Sequence, residues 1–307
     1  MSQKDSFACG IVVHGGAGAP LEDADGCEAA VRAGRRATEE GADALQAAVA
    51  AVVVLEDDGR FNAGSGAIVG LDGTTIEFDA AVMDSNGRLG AVACLQRVKN
   101  PVLVAQAVSR SPHWLLAGEG AERFARVAGF PEHDAIHDRA VHRNRLLIAQ
   151  LRGDQPARHG VDNESFRRLW NYAIPWPGSE PGDRGAACDT VGAVVRDGEG
   201  RFAVACSTGG SAPSLLGRVG DTPIIGSGFY AGPKGAVAAT GVGEHIVRHL
   251  LSYAVYQWIE QGMPLQKALE RGIDLFPDEI DVGLIAISRT EAGSRSNRCM
   301  AASSFER

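Results

Sequence analysis

The chain has 307 residues, room for one large domain or two ordinary ones, and its 45% hydrophobic and 22% charged content suits a globular protein with a sizeable core. A formal net charge of −8, with both signs mixed along most of the chain, argues against a nucleic-acid surface, which needs a basic face. No window approaches about 18 uninterrupted apolar residues, MSQKDSFACGIVVHGG makes a poor signal peptide, and the six cysteines form no CxxC or Cys/His cluster. No membrane span and no zinc site are therefore expected, and a cytoplasmic location is.

In chain order, Phe7–Val13 reads as a short buried strand running into HGGAG. Apolar residues then recur at helical spacing from Ala24 to Leu55, broken at Gly41, which predicts two helices. Asp58–Gly66 is a turn-rich loop. IVGLDG, TTIEFDAAVMD and GRLGAVACL read as successive strands. Asn100-Pro101 opens a helix to about Ser109, and another follows near Glu119–Ala128. Residues 153–189, rich in Pro, Gly and charge, read as an exposed, mobile connector around one short helix. TVGAVVRDGEGRFAVACSTGG predicts a hairpin of two buried strands around Asp197–Gly200. Helices near Gly243–Gln261 and Pro264–Leu275 precede a buried strand, DVGLIAISR. Helices flanking strands in this order imply an α/β or α+β class.

The chemistry centres on CDTVGAVV, in which Thr190 opens a buried strand directly behind Asp189 and the connector. Cutting the Asp189–Thr190 bond would make Thr190 N-terminal. Its α-amine, with an ordinary pKa of roughly 7.7–8.0, would then take the proton from its own hydroxyl, joining nucleophile and base in one residue. Glycine clusters HGGAGA, NAGSGA, STGGS, GRVGD, GSGFYAG and TGVGE mark backbone that must approach something closely or adopt positive φ.

HGGAG, LEDDGRFNAGSGA, TVGAV, STGG, GRVGDTPIIGSGFYA and ATGVGE together resemble the plant-type asparaginase and isoaspartyl peptidase family of N-terminal-nucleophile hydrolases, over nearly the whole chain. The resemblance implies an α+β fold, a four-layer αββα sandwich. It implies autocleavage into an α subunit (1–189) and a β subunit (190–307) of a single domain spanning 1–307, and a pairing of two such heterodimers. Thr190 matches the nucleophile, Thr208 the threonine that bonds its hydroxyl, and Thr240 with Gly241 the oxyanion hole. Arg218 and Asp221 match the groups holding the substrate's α-carboxylate and α-amine, Gly243 a backbone contact to substrate, and Asn62 an asparagine near the nucleophile. The segment Leu55 to Ser65 is similar to a loop whose backbone carbonyls (Leu55, Glu56, Asp58, Phe61, Ala63, Ser65) bind a structural sodium ion; no organic cofactor is implied.

The residue chemistry agrees with these roles. A zwitterionic α-carbon needs one cation and one anion close together, and arginine holds a carboxylate with two parallel bonds. A hydroxyl and an N–H suit a developing oxyanion. The substrates implied are asparagine and β-aspartyl dipeptides. A glycosylasparaginase-like amidase and an uncleaved, non-catalytic amino-acid-binding homologue are the alternatives; a lipase-type hydrolase would need a G-x-S-x-G elbow, which the chain lacks. Blander roles also exist: a solvated Arg218–Asp221 ion pair, turn and helix-cap threonines at 208 and 240, and a structural His14. The sequence departs from the family where SAPSLL precedes GRVGD in place of a lysine-bearing stretch, and where Asp189 stands in place of a common glycine.

Overall fold

The structure is a computed structural model that describes residues 8–136, 140–142, 144, 145, 148, 163–174 and 190–307. Among these the elements run β1 (Gly10–His14), α1 (Ala24–Glu39), α2 (Ala44–Asp58), β2 (Phe78–Asp84), β3 (Leu89–Leu95), α3 (Pro101–Val108), β4 (Leu115–Ala117), α4 (Gly118–Val127) and α5 (Asn163–Arg168). After the connector come β5 (Val191–Arg196), β6 (Phe202–Thr208), β7 (Phe229–Gly232), β8 (Gly235–Gly241), α6 (Gly243–His249), α7 (Leu251–Glu260), α8 (Leu265–Ile273), β9 (Val282–Ser288), β10 (Ala292–Ser296) and β11 (Ala302–Glu306).

The strands form two sheets, ordered β11-β1-β5-β6-β2-β3-β4 and β10-β9-β8-β7, and every pairing is antiparallel except β3 with β4. The central strands read as unbroken apolar runs because both faces are covered. Ile11 and Val13 of β1, and Ala193 and Val195 of β5, join a core with Leu45, Val52 and Leu55 of α2. The alternate residues Val12 and Val194 turn the other way, to Phe229, Ala238, Ile285 and Ile287 of the second sheet. The far face of that sheet, through Val237, Ala239 and Leu284, packs with Leu251 and Val255 of α7 and Leu269 of α8. Period-two alternation on doubly covered strands thus generates three stacked apolar layers.

Local chemistry explains the boundaries. Asp43 and Gln46 form a reciprocal capping box at the start of α2, and Gly59, in the left-handed region at φ 76°, ends it. The break between α1 and α2 falls where the sequence puts it, and Pro101 is the first residue of α3.

Two expectations need correction. IVGLDG is not a strand: Asp72 accepts hydrogen bonds from the N–H and hydroxyl groups of both Thr74 and Thr75, and this local turn outcompetes a ladder. The helix expected over Gly243–Gln261 breaks at Leu250 (φ 45°) because the N–H groups of Ser252 and Tyr253 donate to the Ser227 and Gly226 carbonyls. The C-terminal NRCMAASSFER supplies β11, which pairs with β1 along Gly10↔Glu306 to His14↔Ala302. Its placement is reinforced by the buried Arg196, which reaches the Ala8 and Ser288 carbonyls and Glu306.

Of the connector 153–189, only 163–174 belongs to the described residues; Asp189 and Cys188 lie outside them, and with them the expected cleavage site. Among the described residues no helix is long and apolar enough to cross a membrane.

Candidate active site

Thr190 stands one residue ahead of β5, and the β5–β6 register Val191↔Ser207 puts Thr208 at the position across from it. Thr190 is buried, and its Oγ1 lies 3.0 Å from Oγ1 of Thr222. Its carbonyl accepts a 3.3 Å bond from the Thr240 hydroxyl, which in turn accepts the Ala17 N–H at 3.2 Å. Three threonine side chains and the HGGAG turn therefore meet at the head of one strand. Thr240 is no helix cap: α6 starts after Val242, and no side chain caps it.

Thr208 closes β6, where its hydroxyl accepts the Gly210 N–H at 3.2 Å, so the STGG turn is folded by its own threonine. Asn62 buttresses the same turn. Its Nδ2 donates to the Gly210 carbonyl at 2.7 Å, and its carbonyl accepts the Gly209 N–H at 2.9 Å. Gly241, next to Thr240, has φ 135°, and a Cβ there would run into the Asp281 carbonyl, so only glycine fits.

The Arg218–Asp221 turn sits beside this cluster through Thr222. Arg218 is paired in two parallel bonds, both 2.9 Å, with the carboxylate of Glu244 on α6. Asp221 is buried, and its Oδ2 has no hydrogen-bond partner. Burial pushes its carboxyl up to about 7 although the Arg218 charge pulls the other way. The solvated ion pair is thus not what forms. Gly243 marks the convergence point: a Cβ there would stand 2.8 Å from Arg218 Nη2 and 2.9 Å from Asp221 Oδ1. A guanidinium, a buried carboxyl with an open lone pair and a side-chain-free backbone position form a cradle whose charges can complement a small zwitterion.

His14 ends β1 with its ring buried and both nitrogens unpartnered, and burial alone lowers its pKa to about 3. It is a neutral packing residue against β5, its Nε2 standing 2.5 Å from where a Cβ on Gly192 would be.

Leu55, Glu56 and Asp58 close α2, and Phe61, Ala63 and Ser65 follow it into a 3-10 turn at Gly64–Gly66. The Glu56 carbonyl is 2.6 Å from the point a Gly64 Cβ would take, and a Gly66 Cβ would collide with the Phe61 carbonyl. Glycine at both positions lets the loop backbone pack directly against these carbonyls. Among the described residues no group of three or more His, Cys, Asp or Glu side chains could hold a metal.

Sequence reasoning missed Thr222, Glu77 and Asp79. Asp79 accepts the N–H groups of Cys94 and Gly220, and Glu77 accepts that of Gly217 at 2.7 Å. Burial raises the Asp79 carboxyl to about 6 against those donors and Arg218. The signal was present in EFD: two acids at strand spacing entering an otherwise apolar strand.

A family model described as asparaginase matches residues 7–305. The chain is 37% identical to a plant-type L-asparaginase of Pyrococcus horikoshii over 73% of this chain and 69% of that one. It is 37% identical to an isoaspartyl peptidase/L-asparaginase of Xenopus laevis over 88% and 82%, respectively. With an isoaspartyl peptidase of Salmonella typhimurium the identity is 40%, over 72% of this chain and 66% of the relative.

Proposed function

The chain belongs to the asparaginase family, and from that premise we propose that it is a threonine amidohydrolase that cuts itself between Asp189 and Thr190 and then hydrolyses β-aspartyl dipeptides and L-asparagine, releasing L-aspartate. The observation that carries this reading is Thr190, buried at the head of β5 with its hydroxyl against that of Thr222 and its carbonyl held by Thr240, beside the Arg218–Asp221–Gly243 cradle.

In the proposed cycle the free α-amine of Thr190 takes the proton from its own Oγ1, which attacks the β-carbonyl carbon of the substrate. The oxyanion is met by the Thr240 hydroxyl and the Gly241 N–H, donors of a kind typically worth about 3–4 kcal/mol each. The leaving amine departs with the proton, and water then cleaves the β-aspartyl ester, restoring the hydroxyl and freeing aspartate. Arg218 takes the α-carboxylate by giving up its bonds to Glu244, and Asp221 takes the α-ammonium.

The three apolar layers support reading the fold as a four-layer αββα sandwich of the N-terminal-nucleophile type. A sodium ion held by the carbonyls around Glu56 and Phe61 would stiffen the loop that carries Asn62. The working assembly in this reading is an α subunit (1–189) with a β subunit (190–307), two such pairs joining, in the cytoplasm.

Denaturing electrophoresis with N-terminal sequencing, alongside an aspartate-release assay on asparagine and a β-aspartyl dipeptide panel, tests the reading. Two fragments are expected, one beginning TVGAVV, with release from both substrate types and none from glycosylated asparagine. Full-rate release by the undivided chain would overturn the amine mechanism. No release from any of these substrates would overturn the function.

A further inference from the structure

The loop that carries Arg218 is held by its backbone, from three directions, by side chains far away in sequence. Asn171 donates its Nδ2 to the Leu216 carbonyl at 2.9 Å and accepts the Leu216 N–H on Oδ1 at 3.0 Å, completing both main-chain bonds of one residue. Glu77 accepts the next N–H, that of Gly217, at 2.7 Å, and Asp79 accepts that of Gly220 at 3.2 Å. Arg218 therefore lies between two glycines whose N–H groups are each tied to a carboxylate entering or within β2. Beside Asn171, the Tyr172 hydroxyl donates to the Ser214 carbonyl at 2.9 Å, and its ring is buried with Leu71 in a small cluster that Ala212 and Leu216 also join.

Asn171 and Tyr172 come from the stretch ahead of Thr190, and the segment they grip, Ser211–Leu216, links the Thr208 turn to Arg218. A loop bounded by Gly210 (φ 83°) and Gly217 (φ 82°) has little stiffness of its own. Tying its backbone to fixed side chains removes conformations in which Arg218 and Asp221 point apart, which is preorganisation of a binding site.

We propose that Asn171, with Tyr172, Glu77 and Asp79, forms a clasp by which the segment ahead of the cleavage point presets the Arg218–Asp221 cradle, so that the α subunit governs substrate affinity at a site whose reacting groups lie in the β subunit. These are positioning residues; none of them touches the substrate. The inference rests on the substrate reading above and deepens it. It also gives the SAPSLL stretch a role: its backbone, rather than a lysine side chain, is what the clasp holds.

The test compares wild-type protein with Asn171→Ala and Tyr172→Phe. KM and kcat are measured on asparagine and a β-aspartyl dipeptide, L-aspartate affinity by titration calorimetry, and self-cleavage by electrophoresis. Losing both Asn171 bonds should raise KM and the aspartate Kd about tenfold, with kcat and cleavage within about twofold of wild type. Tyr172→Phe, which keeps the ring in its cluster, should raise both by about threefold. A merely structural role would lower the melting temperature and move kcat with kcat/KM. Unchanged aspartate affinity in both variants, or a fall in kcat as large as that in kcat/KM, overturns the clasp. Wild-type protein that binds aspartate but releases none from any substrate overturns the function while the affinities still decide the clasp.

Discussion

The head of β5 and the loop bearing Arg218 solve the same problem, fixing a polar side chain in space, by different means. Thr190 is placed by ladder register: it directly precedes β5, which lies between β1 and β6, while Thr222 of the Arg218 loop and Thr240 of β8 meet it from outside that ladder. Arg218 is placed by side chains of Asn171, Glu77 and Asp79 that reach across to the backbone of Leu216, Gly217 and Gly220 on either side of it. Strand registers are hard to shift, since a one-residue slip would turn every apolar side chain to the wrong face. A loop held by a handful of hydrogen bonds yields to single substitutions. The nucleophile end should therefore respond to mutation in an all-or-none way, and the substrate loop by degrees.

The largest effect expected is at the strand head. Thr190→Ala leaves β5 and its neighbours in place but removes the only atom proposed to attack a carbonyl. Both self-cleavage and hydrolysis should disappear, the latter by about 10⁴-fold or more in kcat/KM. Electrophoresis should show one band, and the aspartate assay should read background. A processed, active variant would place the nucleophile elsewhere and erase the contrast between the two regions.

Arg218→Ala should instead produce a graded change confined to binding. Removing one partner of a bidentate charge pair typically costs about 2–5 kcal/mol, so KM should rise on the order of 10²-fold. The protein should still be cut, because Arg218 bonds to Glu244 rather than to any residue at the strand head. Equal loss of processing would mean that the loop supports the strand, and that the two regions are not separate devices.

How each region reads from sequence follows from the same difference. The buried strands β1, β5, β6 and β9 were legible because local pattern decides them: continuous apolar runs, followed in β1, β5 and β6 by glycine turns. The two helices split at Gly41 and the Pro101 start of α3 were legible for equally local reasons. Thr190, Arg218 and Asp221 were singled out by the resemblance of their motifs to those of the asparaginase family. What the sequence hid is contact at long range. Nothing near Asn171 announces that its amide will complete the bonds of Leu216, 45 positions on. Thr222 was passed over because a threonine after Asp221 looks like any turn residue until Thr190 is folded against it. The break at Leu250 was invisible because it depends on carbonyls of Gly226 and Ser227 capturing the N–H groups of α7. Strands β10 and β11 are short, polar and edge-placed, so alternation gave them no apolar face to display.

The most gradual effect concerns Asp221 and is read as a function of pH. Its carboxyl is raised to about 7 in the free protein, first by burial; Glu244 and Asp79 add to the rise, and Arg218 opposes it. A carboxyl raised on folding stabilises the native state most below its ordinary value near 4, and that contribution is lost as pH rises through about 7. The melting temperature of ligand-free wild type should therefore decline across that window relative to Asp221→Asn, whose side chain does not titrate. Substrate reverses the preference, because its α-ammonium needs the ionised carboxylate beside it. Below about pH 7, wild-type KM should climb by up to tenfold per unit as the anion is lost. In Asp221→Asn, KM should be high and nearly flat over the same range. A wild-type KM independent of pH from 5 to 7 would show that the buried carboxyl does not meet the ammonium, and would leave Arg218 as the sole anchor of the cradle.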